Sequence, residues 1–145
     1  MCGNAEHLPC FAHSLQLVVR DGLSSLTAAR TLLGICVKLS SLLHHSAVFR
    51  GAFEQAVGPG RSIPTVNNTR WNSMFMQLSA INVLDLANLN GVLHATDHDN
   101  LVLTSKECIQ LKELVDILTL FADAISLMQG DQMVTLSCVV PCVFL

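Results

Sequence analysis

The chain has 145 residues, of which 51% are hydrophobic and only 13% charged, with a net charge of −3. A soluble domain carries about 25% charged residues, so this composition is too apolar for a disordered chain. It is not collagen-like and shows no short repeat, which leaves a membrane protein, an unusually buried domain or a piece of something larger.

A membrane span needs about 20 uninterrupted apolar residues. The best stretch, 109–128, is broken by Lys112, Glu113, Asp116 and Asp123. The run 134–145 is short and contains Thr135, Ser137 and Pro141. No basic region precedes an apolar run at the start, so neither a signal peptide nor a membrane partner is expected. The six cysteines therefore read as reduced thiols, with Cys36 and Cys108 behaving as small buried hydrophobes. Cys138 and Cys142 are four apart, the spacing of one helix face, but two sulfurs do not make a zinc site.

Apolar residues recur at helical spacing along nearly the whole chain. Phe11, Leu15, Val18 and Val19 predict a first helix over about 11–22, closed by Gly22, with Ser24 or Ser25 capping the next. Over 26–45, Leu32, Cys36, Leu39 and Leu43 form one stripe, with Arg30 and Lys38 off it. Phe49, Phe53 and Ala56 predict a third, short helix. Gly58-Pro59-Gly60 breaks the pattern, and 58–69 reads as an extended polar loop.

A fourth helix begins near Arg70 with Trp71, Met74, Phe75, Leu78 and Ile81 on its buried face. Its pattern continues, with room for a kink, to about Leu93. Residues 94–100 read as a polar loop. Thr104-Ser105-Lys106-Glu107 is a capping box. The helix it opens carries Leu111, Leu114, Val115, Leu118, Phe121, Ala122, Ile125 and Met128 on its core face and ends at Gly130. Residues 134–145 are apolar all round, as in a buried helix or strand. The expected fold class is mainly α, with one short strand at 6–10.

Charge is uneven along the chain. Six basic against three acidic residues in 1–70 give +3, and two against eight in 71–145 give −6. The basic residues lie about ten apart, which suits solvated faces better than a clustered nucleic-acid patch.

Few constellations carry chemistry. Cys10 and His13 are spaced like metal ligands, and Cys2 and His7 are the nearest additions, but a buried Cys10 beside a His13 that makes a structural hydrogen bond fits better than zinc. His44 and His45 point about 100° apart on a helix and make poor joint ligands. His94, Asp97, His98 and Asp99 lie in the polar loop and read as solvated. No phosphate-binding glycine loop, nucleophile elbow or paired-carboxylate site is present, so neither a cofactor nor a metal is expected.

Thr69-Arg70-Trp71-Asn72-Ser73 places the only Trp at a loop-to-helix junction beside an Arg. Trp stacks on unpaired bases and Arg binds phosphate. From spacing alone, a Trp buried against the helical core is the better account.

Leu8-Pro9-Cys10-Phe11-Ala12-His13-Ser14-Leu15-Gln16-Leu17-Val18-Val19, then Asp21-Gly22-Leu23, resembles the Cys-x-x-His helix of hAT-superfamily DNA transposases, closest to the zinc finger BED domain-containing proteins. Thr69-Arg70-Trp71-Asn72-Ser73 resembles the family's Arg-Trp motif, in the right order and spacing. Leu103-Thr104 before a long Leu-rich helix, and Ser137 to Pro141, also match. The resemblance implies an RNase H-like core interrupted by a helical insertion. On it, 1–23 is a remnant of the core with Cys10 and His13 as a structural motif, and 24–145 is insertion, including the loop at 58–69.

The family's catalytic Asp and Glu positions fall outside this stretch, so the resemblance implies a catalytically inactive chain, not an enzyme. It also implies nuclear DNA binding or transcription regulation, with weak DNA contact through Arg70, Trp71 and Asn72. No basic cluster accompanies the nuclear placement. The alternative is a helical module that self-associates or binds a protein through apolar surface, without nucleic acid. A piece cut from its core would leave apolar surface unpacked, with 134–145 the expected place and poor solubility the consequence.

Overall fold

A computed structural model describes residues 11–66 and 71–129, and these are mainly helical. The helices are α1 (Phe11–Ser25), α2 (Thr27–His45), α3 (Ala47–Val57), α4 (Trp71–Asn82), α5 (Leu86–Ala95) and α6 (Ser105–Gln129), with a 3-10 turn at Asp99–Leu101. No strand occurs among the described residues, and the expected strand at 6–10 lies outside them.

The apolar stripe of α2 forms as its spacing requires. Leu32, Cys36, Leu39 and Leu43 are all buried, and Arg30 and Lys38 are exposed. α6 packs chiefly on α4 and also on α1 and α2, while α3 is held between α2 and α5. Phe49 and Phe53 stack at 6.2 Å inside that second layer. Leu111, Val115, Leu118 and Ile125 are the buried residues of α6, with Leu114, Phe121 and Ala122 packed against them. The side chain of Met128 lies outside the described residues.

The capping box opens α6 as expected. Glu107 Oε2 accepts from the Thr104 amide at 2.8 Å and from its hydroxyl at 2.7 Å, and the Glu107 amide donates back to Thr104 Oγ1 at 3.3 Å.

Four boundaries differ from the sequence expectation. Gly22 does not end α1, which runs on to Ser25. Glycine stops a helix most readily at positive φ, and among the described residues only Gly58 and Gly60 adopt that. Neither Ser24 nor Ser25 caps α2; their hydroxyls donate backwards to the carbonyls of Arg20 and Gly22, and α2 starts after Leu26 with no side-chain cap. α1 faces inward through Leu15, Val19 and Leu23, which leaves Val18 64% exposed.

The expected single helix from Arg70 to Leu93 is two helices. Asp85 Oδ1 accepts from the amides of Ala87 and Asn88 and starts α5 afresh. α5 also takes in His94 and Ala95, which shortens the expected loop. In α3, Phe49 and Phe53 are buried as expected but Ala56 is exposed, and Val57 packs inward instead. No single helix among the described residues is long and apolar enough to cross a membrane; α1 and α2 together reach the length but meet at 99°.

Candidate functional site

The loop after α3 is anchored more firmly than its polar composition suggests. Gly58 and Gly60 take φ of 105° and 80°, which turn the chain back along α2. Ile63 is then fully buried. Three side chains hold its backbone: the His44 ring nitrogen Nε2 bonds Ile63 O at 3.1 Å, Ser40 Oγ lies 3.2 Å from Ile63 O and 3.0 Å from Pro64 O, and the Gln77 amide donates to Pro64 O at 2.9 Å. Ser40 and Gln77 are both buried, and the Ser40 bond to Ile63 O is shielded from water, whereas His44 reaches in from an exposed position. Sequence reasoning missed this clamp. Its only signal was a polar Ser and a polar Gln at core-facing positions of two apolar helices.

The clamp fixes where the chain enters α4. Trp71, the first residue of that helix, is 6% exposed and packs at 5.9 Å from Phe75. Its indole Nε1 finds no hydrogen-bond partner among the described residues. Asn72 is exposed beside it, and Arg70 lies outside the described residues. The three candidates are therefore split: the Trp face belongs to the core, and Asn72 faces solvent. A buried ring cannot stack on a base without leaving its pocket.

Cys10 lies outside the described residues. His13 is exposed and makes no side-chain hydrogen bond to a described residue, so its expected structural bond is not made there. His44 and His45 diverge, as expected from their spacing. His45 Nδ1 bonds the Ser41 carbonyl at 2.8 Å, while His44 serves the loop. His94 pairs with Asp99 through Nδ1 and Oδ1 at the exposed end of α5. His98 turns away to Thr96 Oγ1 at 3.2 Å and packs in a T-shaped pair with Phe49, ring centroids 5.9 Å apart. Asp97 stands at φ 58°, in the left-handed region. No three His, Cys, Asp or Glu side chains among the described residues converge as metal ligands.

An open hollow of about 350 Å³ lies between the end of α2, α3 and the Gly60–Ser62 turn, with Arg50, Glu54 and Arg61 on its wall. Arg50 is already engaged: Nε and Nη2 donate to the Leu43 and His44 carbonyls at 3.1 and 2.7 Å, satisfying the end of α2. Burial pushes the Cys36 thiol up to about 12, with the Glu107 charge adding to it, so Cys36 is a poor nucleophile. Cys108 is also raised, again by burial first and Glu107 second.

No family model, curated protein or solved structure matches this chain.

Proposed function

We propose that this chain is a catalytically inactive, hAT transposase-derived helical domain that touches DNA weakly at the entry of α4, in a nuclear setting. The ordered pair of Cys-x-x-His and Arg-Trp motifs carries the family reading, and the mainly helical fold is consistent with an insertion domain.

One observation refines the roles. Trp71 is buried while its neighbour Asn72 is exposed. On this reading Trp71 is the anchor that sets the start of α4, and Arg70 with Asn72 makes the contact. With a net charge of −3, affinity is low and salt-dependent.

Fluorescence anisotropy of labelled single-stranded and duplex DNA, titrated with the full chain across a salt series, tests this. Arg70→Ala should weaken binding and reduce the salt slope by about 1. Absence of DNA binding, or binding indifferent to Arg70→Ala, would defeat the nucleic-acid reading.

The alternative, an interaction module without nucleic acid, draws on large apolar side chains that remain exposed, among them Val48, Val83 and Leu120. It predicts concentration-dependent self-association, and light scattering that finds a monomer at every concentration counts against the self-association form.

A further inference from the structure

Asn90 and Gly91 form the only Asn-Gly pair in the chain. Asparagine is a thermolabile residue, and it is most labile where the next backbone nitrogen is unhindered. Every other asparagine here is followed by a residue that carries a side chain. On covalent chemistry alone, Asn90 is the first asparagine to deamidate.

The fold holds that reaction back in two ways. Both residues lie inside α5, where the Gly91 N–H is committed to the carbonyl four residues before it. The helix also fixes the Asn90 ψ rotation that would carry the Gly91 nitrogen onto the carboxamide. The carboxamide is itself engaged at both ends. Nδ2 donates to Leu103 O at 2.9 Å, and Oδ1 accepts from Leu103 N at 3.0 Å. Leu103 is buried and directly precedes the capping box of α6. The most labile amide in the chain is therefore the one that ties α5 to the start of α6.

Packing does not call for a glycine at 91. Gly91 is exposed, has no positive φ, and a Cβ built on it meets nothing within 4 Å. Alanine would suit a helix interior better. What glycine adds at this position is the reactivity of its neighbour.

We propose that Asn90–Gly91 is a deamidation site that the native fold keeps closed and that unfolding opens. In the opened chain the Gly91 nitrogen attacks Asn90 Cγ. The N–Cγ bond forms, the Cγ–Nδ2 bond breaks, and ammonia leaves with the proton from Gly91. Water then opens the five-membered imide to an aspartyl or an isoaspartyl residue. Neither product restores the contact: the carboxylate has no N–H for Leu103 O, and the isoaspartyl form adds a methylene to the backbone of α5. The site thus records unfolding in one direction, because a chain that has reacted cannot remake the Asn90–Leu103 pair. This inference stands apart from the nucleic-acid reading and does not depend on it.

The test incubates the full chain at mildly alkaline pH, folded in buffer and unfolded in guanidinium chloride, and follows each asparagine by peptide mass spectrometry. In denaturant, Asn90 should convert ahead of every other asparagine. In the folded chain its rate should be lower by about tenfold or more, since only the opened fraction reacts. Gly91→Ala should slow the conversion in denaturant and leave the chain folded in buffer, as the open space around Gly91 allows. The converted fraction, separated by chromatography and returned to buffer, should show a folding equilibrium constant lower by about tenfold than unconverted protein from the same incubation. Equal rates at Asn90 in the folded and unfolded chains would overturn the proposal. So would another asparagine reacting first in denaturant, or converted protein that refolds as stably as the unconverted.

Discussion

The Asn90 side chain holds the Leu103 backbone from both sides: its Nδ2 donates to Leu103 O at 2.9 Å, and its Oδ1 accepts from Leu103 N at 3.0 Å. A single amide thus does for the segment before α6 what a strand partner would do, and it ties that segment to α5. Asn90→Ala leaves both backbone groups of a buried residue without partners. The expected loss is about 1–3 kcal/mol of stability, read from urea unfolding. Asn90→Asp keeps the acceptor but sets a carboxylate against the Leu103 carbonyl, and should be no better than alanine.

The Ile63 anchor makes a similar prediction for the loop after α3. Ile63 is fully buried, with Ser40, His44 and Gln77 bonded around it. Ile63→Ala should cost about 2–5 kcal/mol. It should also open the 58–66 loop to limited proteolysis before the rest of the fold is lost.

Trp71 gives a contrast between two substitutions. Trp71→Ala empties a core site and should cost about 3–5 kcal/mol. Trp71→Phe keeps a ring and discards an indole N–H that has no partner, so it should cost much less, under about 1.5 kcal/mol. Equal losses from the two would mean that the indole nitrogen is bonded in solution.

Cys36 sets an alkaline limit. Its folded pKa, about 12, is raised above the ordinary value of 9.0 because the thiolate would be buried. The thiol therefore contributes stability that is complete below about pH 9 and is lost as pH climbs from 9 toward 12, since only the unfolded chain ionises there. Unfolding free energy measured between pH 9 and 11 should fall by up to about 1.4 kcal/mol per pH unit more steeply than in Cys36→Ala. At pH 8, iodoacetamide should modify Cys36 only after denaturation.

Much of this fold is legible in the residues themselves. The 4-3-4 spacing of Leu32, Cys36, Leu39 and Leu43 is satisfied by one helix face, and Thr104 with Glu107 marks its helix start without tertiary help. The break between α4 and α5 was hidden because Ile81, Leu84, Leu86 and Leu89 keep an apolar rhythm straight across it. Asp85 before Leu86 was the available sign, as an aspartate capping two following amides. Gly22 misled in the opposite sense, since a glycine at ordinary helical φ does not stop a helix. At the candidate site, the motif located Trp71 but could not tell which way its ring faced. That depends on the packing of α4 against α6, α2 and α1, which are distant in sequence.

The central claim is that Trp71 anchors α4 from within the core while DNA contact falls to its neighbours. As the only tryptophan, it reports on itself. Trp71 emission should be followed during a titration with unlabelled single-stranded DNA, alongside anisotropy of labelled DNA in a matched sample. The account predicts that anisotropy rises with a blue-shifted, acrylamide-shielded Trp71 emission that stays unchanged. Strong quenching of Trp71 in step with the anisotropy would show a base stacked on its ring, and would contradict the account.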